Sequence, residues 1–410
     1  MEDKKNWRRD IILFLSSQTI SLFGSALVQY AIMWYVTLTT QSGLMMTLFI
    51  ICGFIPTFLL SPFAGVWADR FNRKWLIMIA DAMIAVVTLA LAITFLMGYN
   101  AAWLLFVIAA VRALGAGIQM PAVAAILPQI VPEDKLTKVN GINGTLQALM
   151  MFVAPIASAS LLSLASIEAI FFIDVATALV AIATLALFLK IPLHQKANEE
   201  QTTGYLEDFK LGIRYIREHR FLKTLFMFFG IFFVLMAPAA FLTPLQVARS
   251  FGGDGYWRLT AIEIAFSIGM MVGGAVIASW GGFRNRIYTM GLASLIMGLC
   301  TFVLGIVPIF WIYLIVMAVF GVAMPIFNTP TTVLLQEKID GNYMGRVFGV
   351  FSMISTSMMP IGMMIFGPLA DVLRIEWLLV GTGLFVIALS LLFVRNKRLL
   401  EAGMPATAGE

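Results

Sequence analysis

Four ionisable side chains, Asp81, Arg112, Asp174 and Glu263, stand inside otherwise apolar runs of this 410-residue chain. Charge is costly in such surroundings, and a group kept there faces a cavity or a partner and marks an ion or proton path. Asp174 is a candidate to take up and release a proton. Glu263 is a second, with an interfacial role as the competing reading. Asp81 could serve the same end, or only pair with nearby basic residues. Arg112 shares one helix face with Gly115 and Gln119, and the small Gly115 would let another helix pack close to the guanidinium. The alternative is a structural Arg bonded to backbone carbonyls.

Other chemistries lack their residues. His194 and His219 both fall in a central polar stretch, so no imidazole relay is available in the apolar runs. Cys52 and Cys300 offer neither a disulfide framework nor metal-ligand spacing. The chain has no Gly-x-x-x-x-Gly-Lys phosphate loop and no Ser/His/Asp set. No enzyme activity, cofactor or metal is expected, and ATP is not the expected energy source. A proton gradient could serve instead. The net charge of +5 is no nucleic-acid signal, because its distribution follows the apolar runs.

The elements that would position these groups are long helices. Of all residues 60% are hydrophobic and 12% charged, against about 45–50% and 25% in soluble domains. A membrane-spanning helix needs about 20 predominantly apolar residues. Twelve stretches qualify: 11–37, 44–67, 75–97, 102–121, 141–165, 168–190, 221–248, 258–280, 287–306, 309–335, 346–369 and 376–394. The expected fold is an all-α membrane protein of twelve helices. The charged start "MEDKKNWRRD" leads into an apolar run too long for a signal-peptide core, so a retained first helix is expected. All 27 Lys and Arg except Arg112, Arg249, Arg258 and Arg374 lie in alternate connections or at the two ends. The positive-inside rule makes those segments, and both termini, cytoplasmic.

The two halves echo each other. "ILPQIVPEDKLTKVNG" (126–141) matches "LLQEKIDGNYMGRVFG" (334–349), with Lys138 on Arg346 and Gly141 on Gly349. "ASWGGFRNRIY" (278–288) repeats the Trp67, Asn72 and Arg73 positions as Trp280, Asn285 and Arg286. A repeat six helices long predicts two bundles related by an axis along the membrane normal. The expected division is 1–190, a cytoplasmic linker 191–220 with its own short helix, and 221–410.

The knot "GVWADRFNRKW" (65–75) sits between two apolar runs. A turn at Gly65 would let helix ends approach, and Asp69 could then sit near a helix N-terminus, where an anion is favoured. Arg70, Arg73 and Lys74 could hold the loop to carboxylates or to anionic lipid heads. The plainer reading is a basic loop that only sets topology. Polar and small residues line two helix faces: Gln18, Ser21, Ser25 and Gln29 on the first helix, and Asn140, Gly144, Gln147, Ala154 and Ser158 on the fifth, with Asn143 a further cavity candidate. With Gln119, these could line a cavity, or serve as helix contacts. The 25 Met and 33 Phe suit an adaptable apolar pocket, although most such side chains simply pack or face lipid.

The knot resembles the signature loop between the second and third helices of the major facilitator superfamily. "AAVRALGAG" around Arg112 is similar to the fourth-helix Arg motif of its proton-coupled members, in which the Arg tunes a neighbouring acid. "ADAMIA", "FFIDVATA" around Asp174, "LTAIEIAFSIGMMVGG" around Glu263 and "LLQEKIDGNYMGRVFG" resemble bacterial macrolide-efflux-type drug:proton antiporters. "MMFVAPIASAS" keeps Pro155 but departs from the full Gly-rich antiporter pattern. The resemblance implies two six-helix bundles and alternating access. Asp69, Arg70 and their neighbours, with Arg346, would form a cytoplasmic gate. It also implies a monomer in a bacterial inner membrane that exports amphiphilic compounds in exchange for protons. An exporter or flippase of an endogenous lipid or metabolite remains open, as does a receptor or scaffold without transport.

Overall fold

A computed structural model describes residues 7–189, 205–252, 256–340 and 343–404. Helices make up nearly all of the described chain, with no strand among the described residues. Among the described residues, twelve helical stretches are long and apolar enough to cross a membrane. In order, α1 is Trp7–Thr40, α2 Gly43–Arg70, α3 Arg73–Leu96, α4 Ala102–Ile130, α5 Leu136–Leu164 and α6 Ile167–Phe188. The amphipathic α7 (Tyr205–Glu218) lies in the central polar stretch. Then come α8 (Arg220–Ala237), α9 (Thr243–Ser250), α10 (Tyr256–Trp280), α11 (Arg286–Leu304), α12 (Phe310–Lys338), α13 (Met344–Val372), α14 (Ile375–Arg395) and the short α15 (Lys397–Ala402). The span expected over 221–248 is α8 and α9 joined by a π-helical turn at Pro238–Leu242. Pro238 and Pro244 bracket that turn, and each lacks the N–H that a regular helix would use there.

The chain packs into two compact units. One holds residues 1–39, 48–200 and 255–260, the other 40–47, 201–254 and 261–410. In the first unit, Phe14, Ile77, Ile126 and Leu185 join a buried core drawn from α1, α3, α4 and α6. In the second, phenylalanines stack on one another: Phe228 lies 4.0 Å from Phe393 and Phe232 lies 4.8 Å from Phe327, ring centre to ring centre. These Phe side chains are buried core, not pocket lining. Gly269 and Gly273 bring α10 against α12, where an added Cβ would meet Ala318 O at 2.0 Å and Val322 O at 2.2 Å. Small residues four apart permit such backbone approach in lipid.

The repeated Asn residues cap the corresponding helix in both units. Asn72 caps α3 by accepting from Lys74 N, and Asn285 caps α11 by accepting from Ile287 N, each at 3.0 Å. An Asn side chain at this position satisfies an N–H that the helix cannot bond internally. Arg73 then reaches Ala125 O on α4, and Arg286 reaches Glu337 on α12.

Candidate functional site

The chemistry-bearing residues of the first unit meet in two polar layers set by helix periodicity. Asp81 and Thr88 are seven apart on α3, and Gln119 and Arg112 are seven apart on the antiparallel α4. Seven residues are about two helical turns, so each pair presents one face, and the two faces meet in register. Ser21 and Ser25, one turn apart on α1, supply a hydroxyl to each layer.

In the first layer Arg112 forms an ion pair with Asp174 of α6, with the two side chains 11% and 1% exposed. The guanidinium also donates to Thr88 Oγ1 and, at 3.2 Å, to Ser25 O. Ser25 Oγ donates to the other Asp174 oxygen at 3.3 Å. The layer is tight because Gly24 faces α6. A Cβ there would meet Thr177 Oγ1 at 2.0 Å and Asp174 Cα at 3.1 Å. Gly115 likewise lets α4 close on α3, where a Cβ would meet Ile84 Cγ1 at 2.6 Å.

In the second layer Asp81, 1% exposed, accepts at Oδ1 from Ser21 Oγ at 2.7 Å and from Gln119 Nε2 at 2.8 Å. Gln119 Nε2 also lies 3.3 Å from Gln18 Oε1. Asp81 Oδ2 and Gln18 Nε2 are buried with no partner among the described residues. Buried polar atoms are rarely left so. A carboxyl with a free oxygen and no cation among its partners has room for a proton on that oxygen. The two layers therefore differ: one carboxylate is matched by a guanidinium, the other is held by neutral groups alone.

Asp81 does not pair with the basic knot, and the knot residues do other work. Lys74 Nζ donates to Leu189 O at 2.7 Å and Ala186 O at 3.2 Å, capping the C-terminal end of α6, where a cation is favoured. Arg73 donates to the α4 carbonyl described above. No turn forms at Gly65: α2 continues through it to Arg70. One Gly costs a helix only about 1 kcal/mol, and the chain turns instead just before the Asn72 cap. The side chains of Asp69 and Arg70 lie outside the described residues. Arg346 belongs to the second unit and lies over the Tyr343 ring at 5.7 Å. There α7 docks on the start of α13, with Tyr215 and Tyr343 stacked at 4.5 Å. Glu263, also in the second unit, is half-buried on α10.

Of the expected cavity stripe, Gln18, Ser25 and Gln119 are drawn into the acid layers. Gln29 and Gln147 are exposed, and Asn143 is half-buried. Thr88 was missed by the sequence reading, although its seven-residue spacing from Asp81 marks it. So was Asp371, which accepts from Gly43 N at 2.7 Å, Leu44 N at 2.9 Å and Arg249 Nη2 at 2.9 Å within the second unit. Gly367-x-x-x-Asp371 repeats the Gly65-x-x-x-Asp69 spacing, which was the available signal. No group of three or more His, Cys, Asp or Glu suited to a metal ion occurs among the described residues.

Known proteins match this arrangement along nearly its whole length. Residues 11–363 match the family described as Major Facilitator Superfamily. Macrolide efflux protein A of Streptococcus pyogenes is 29% identical over 405 residues, covering 98% of this chain and 100% of that protein. Its namesake from Enterococcus faecalis is 30% identical over 313 residues, 76% of this chain and 96% of the relative. Among solved structures, a bacterial homologue of the human lysosomal transporter Spinster superposes with a TM-score of 0.72 at 12% identity, covering 99% and 100% of the two chains. Twelve spans, a transporter fold and relatives that are transporters rather than enzymes lead to one conclusion: the chain belongs to the major facilitator superfamily and is a multi-pass membrane transporter.

Proposed function

We propose that this transporter exports amphiphilic compounds, macrolides among them, by alternating access in exchange for protons. The reading places it in a bacterial cytoplasmic membrane with both termini inside. The substrate class is supported by the macrolide-efflux relatives, which align over most of the chain. Proton coupling is supported by one observation above the others: Asp81, buried and without a cation, keeps one oxygen unpartnered beside the Arg112–Asp174 pair. In this reading Asp81 takes the proton, Ser21 and Gln119 hold its other oxygen, and Arg112 holds Asp174 in an ion pair. Asp174, the first candidate from sequence alone, becomes the fixed counter-charge.

The test uses everted membrane vesicles containing the full chain, an imposed inward-acid pH gradient and a labelled macrolide. Wild type should accumulate the macrolide, and collapse of the gradient should abolish accumulation. Asp81→Asn should lose gradient-driven accumulation yet retain gradient-independent exchange of labelled for unlabelled macrolide. Full gradient-driven transport by Asp81→Asn would move the proton to Asp174 or Glu263. Wild-type transport indifferent to the pH gradient would sink proton coupling altogether.

A further inference from the structure

Away from the acid layers, the first unit carries a groove of about 860 Å³ between the starts of α1 and α5. Its walls are apolar and open: Ile12, Ile20 and Ile142 are 65%, 38% and 44% exposed. Its cations gather at one end, because Arg8 lies in the first turn of α1 while Lys135 and Lys138 flank the start of α5. Lys135 is matched by Asp134 at 2.9 Å. Lys138 has no acidic partner among the described residues, and Arg8 lies over the Trp7 ring at 5.7 Å. From Trp7 to Ile20 the apolar wall runs about 20 Å along α1, somewhat more than half of a hydrocarbon core about 30 Å thick. The groove thus has, among the described residues, two cations without an acidic partner at its mouth and one leaflet's depth of apolar wall.

We propose that this groove holds an anionic phospholipid, its phosphate against Lys138 and Arg8 and an acyl chain along Ile12, Ile20 and Ile142. Basic pockets between spanning helices at a membrane face recognise such headgroups. The same two cations would repel a cationic amphiphile, so the groove is unsuited to an amine-bearing drug. The inference requires only that the chain spans a membrane and is independent of proton coupling, so either can fail alone.

Trp7, at the groove's mouth, supplies the readout. The full chain is reconstituted in nanodiscs of phosphatidylcholine containing dibrominated phosphatidylglycerol or dibrominated phosphatidylcholine at equal mole fraction. The Trp7 signal is the difference between wild type and Trp7→Phe. Bromine should quench Trp7 more strongly on phosphatidylglycerol. Lys138→Gln should cut that preference about fivefold, and Arg8→Gln with Lys138→Gln should remove it. Native mass spectrometry of wild type and Lys138→Gln, counting retained phosphatidylglycerol, gives a second measure should Trp7→Phe fold poorly. Equal quenching by both lipids, a preference that survives loss of both cations, or relief of quenching by a cationic macrolide would each overturn the proposal.

Discussion

Replacing Asp174 by Asn removes one charge of a pair whose members are 11% and 1% exposed, and leaves Arg112 buried beside neutral groups. Breaking a buried pair from one side costs about 3–5 kcal/mol. The lower end applies here, because Thr88 Oγ1 and Ser25 O still accept from the guanidinium. Asp174→Asn and Arg112→Met should therefore each cost about 3 kcal/mol. The double variant Arg112→Met/Asp174→Leu should fall within about 1 kcal/mol of wild type, because an apolar pair of similar volume carries no desolvation penalty. The assay is reversible unfolding in mixed micelles with rising SDS fraction, followed by tryptophan fluorescence and read as a double-mutant cycle. Singles that cost under about 1 kcal/mol and add in the double would refute a buried, coupled pair. The double also separates scaffold from machinery. If it folds and still transports a macrolide at the wild-type rate under a pH gradient, the pair only holds helices together.

Two further outcomes follow from local geometry. Gly24→Ala should cost about 1–3 kcal/mol, seen as a lower unfolding midpoint in detergent, and Thr177→Ala should restore part of it because Thr177 Oγ1 is the nearest clashing atom. Asn285→Ala should cost about 2 kcal/mol, a cap plus a hydrogen bond to Leu400 O at 2.8 Å, while Asn72→Ala should cost about 1 kcal/mol for the cap alone; equal losses in SDS unfolding would contradict this.

The spans were legible because lipid leaves a chain few choices. Twelve apolar stretches of helix length admit little else, and the polar connections between them carry the repeat. The Asn72/Asn285 match was visible as letters, and its meaning is visible as two caps. What periodicity could not supply was partnership between helices. Arg112, Gly115 and Gln119 were placed on one face of α4 by spacing alone, but spacing along α4 says nothing about which acid lies opposite each residue. The pairing depends on how far α1, α3 and α6 slide past α4, and that is set by Gly24 and Gly115, whose missing side chains fix the contact points.

The same limit explains why the different partners of the two carboxylates were not legible in the sequence. Seen along their own helices, Asp174 and Asp81 are both lone acids in apolar surroundings. Asp81 also stood near the basic knot in sequence, which suggested a partner. In the fold Arg73 reaches an α4 carbonyl and Lys74 turns to the end of α6, where helix termini offer unpaired carbonyls within reach. Asp81 is left to Ser21 and Gln119, which hold one oxygen and leave the other free. Arg112, one layer away, is spent on Asp174. An acid matched by a guanidinium and an acid held by neutral groups alone therefore differ here by a two-turn offset along α4, not by residue type, and the offset becomes visible only once four helices are packed.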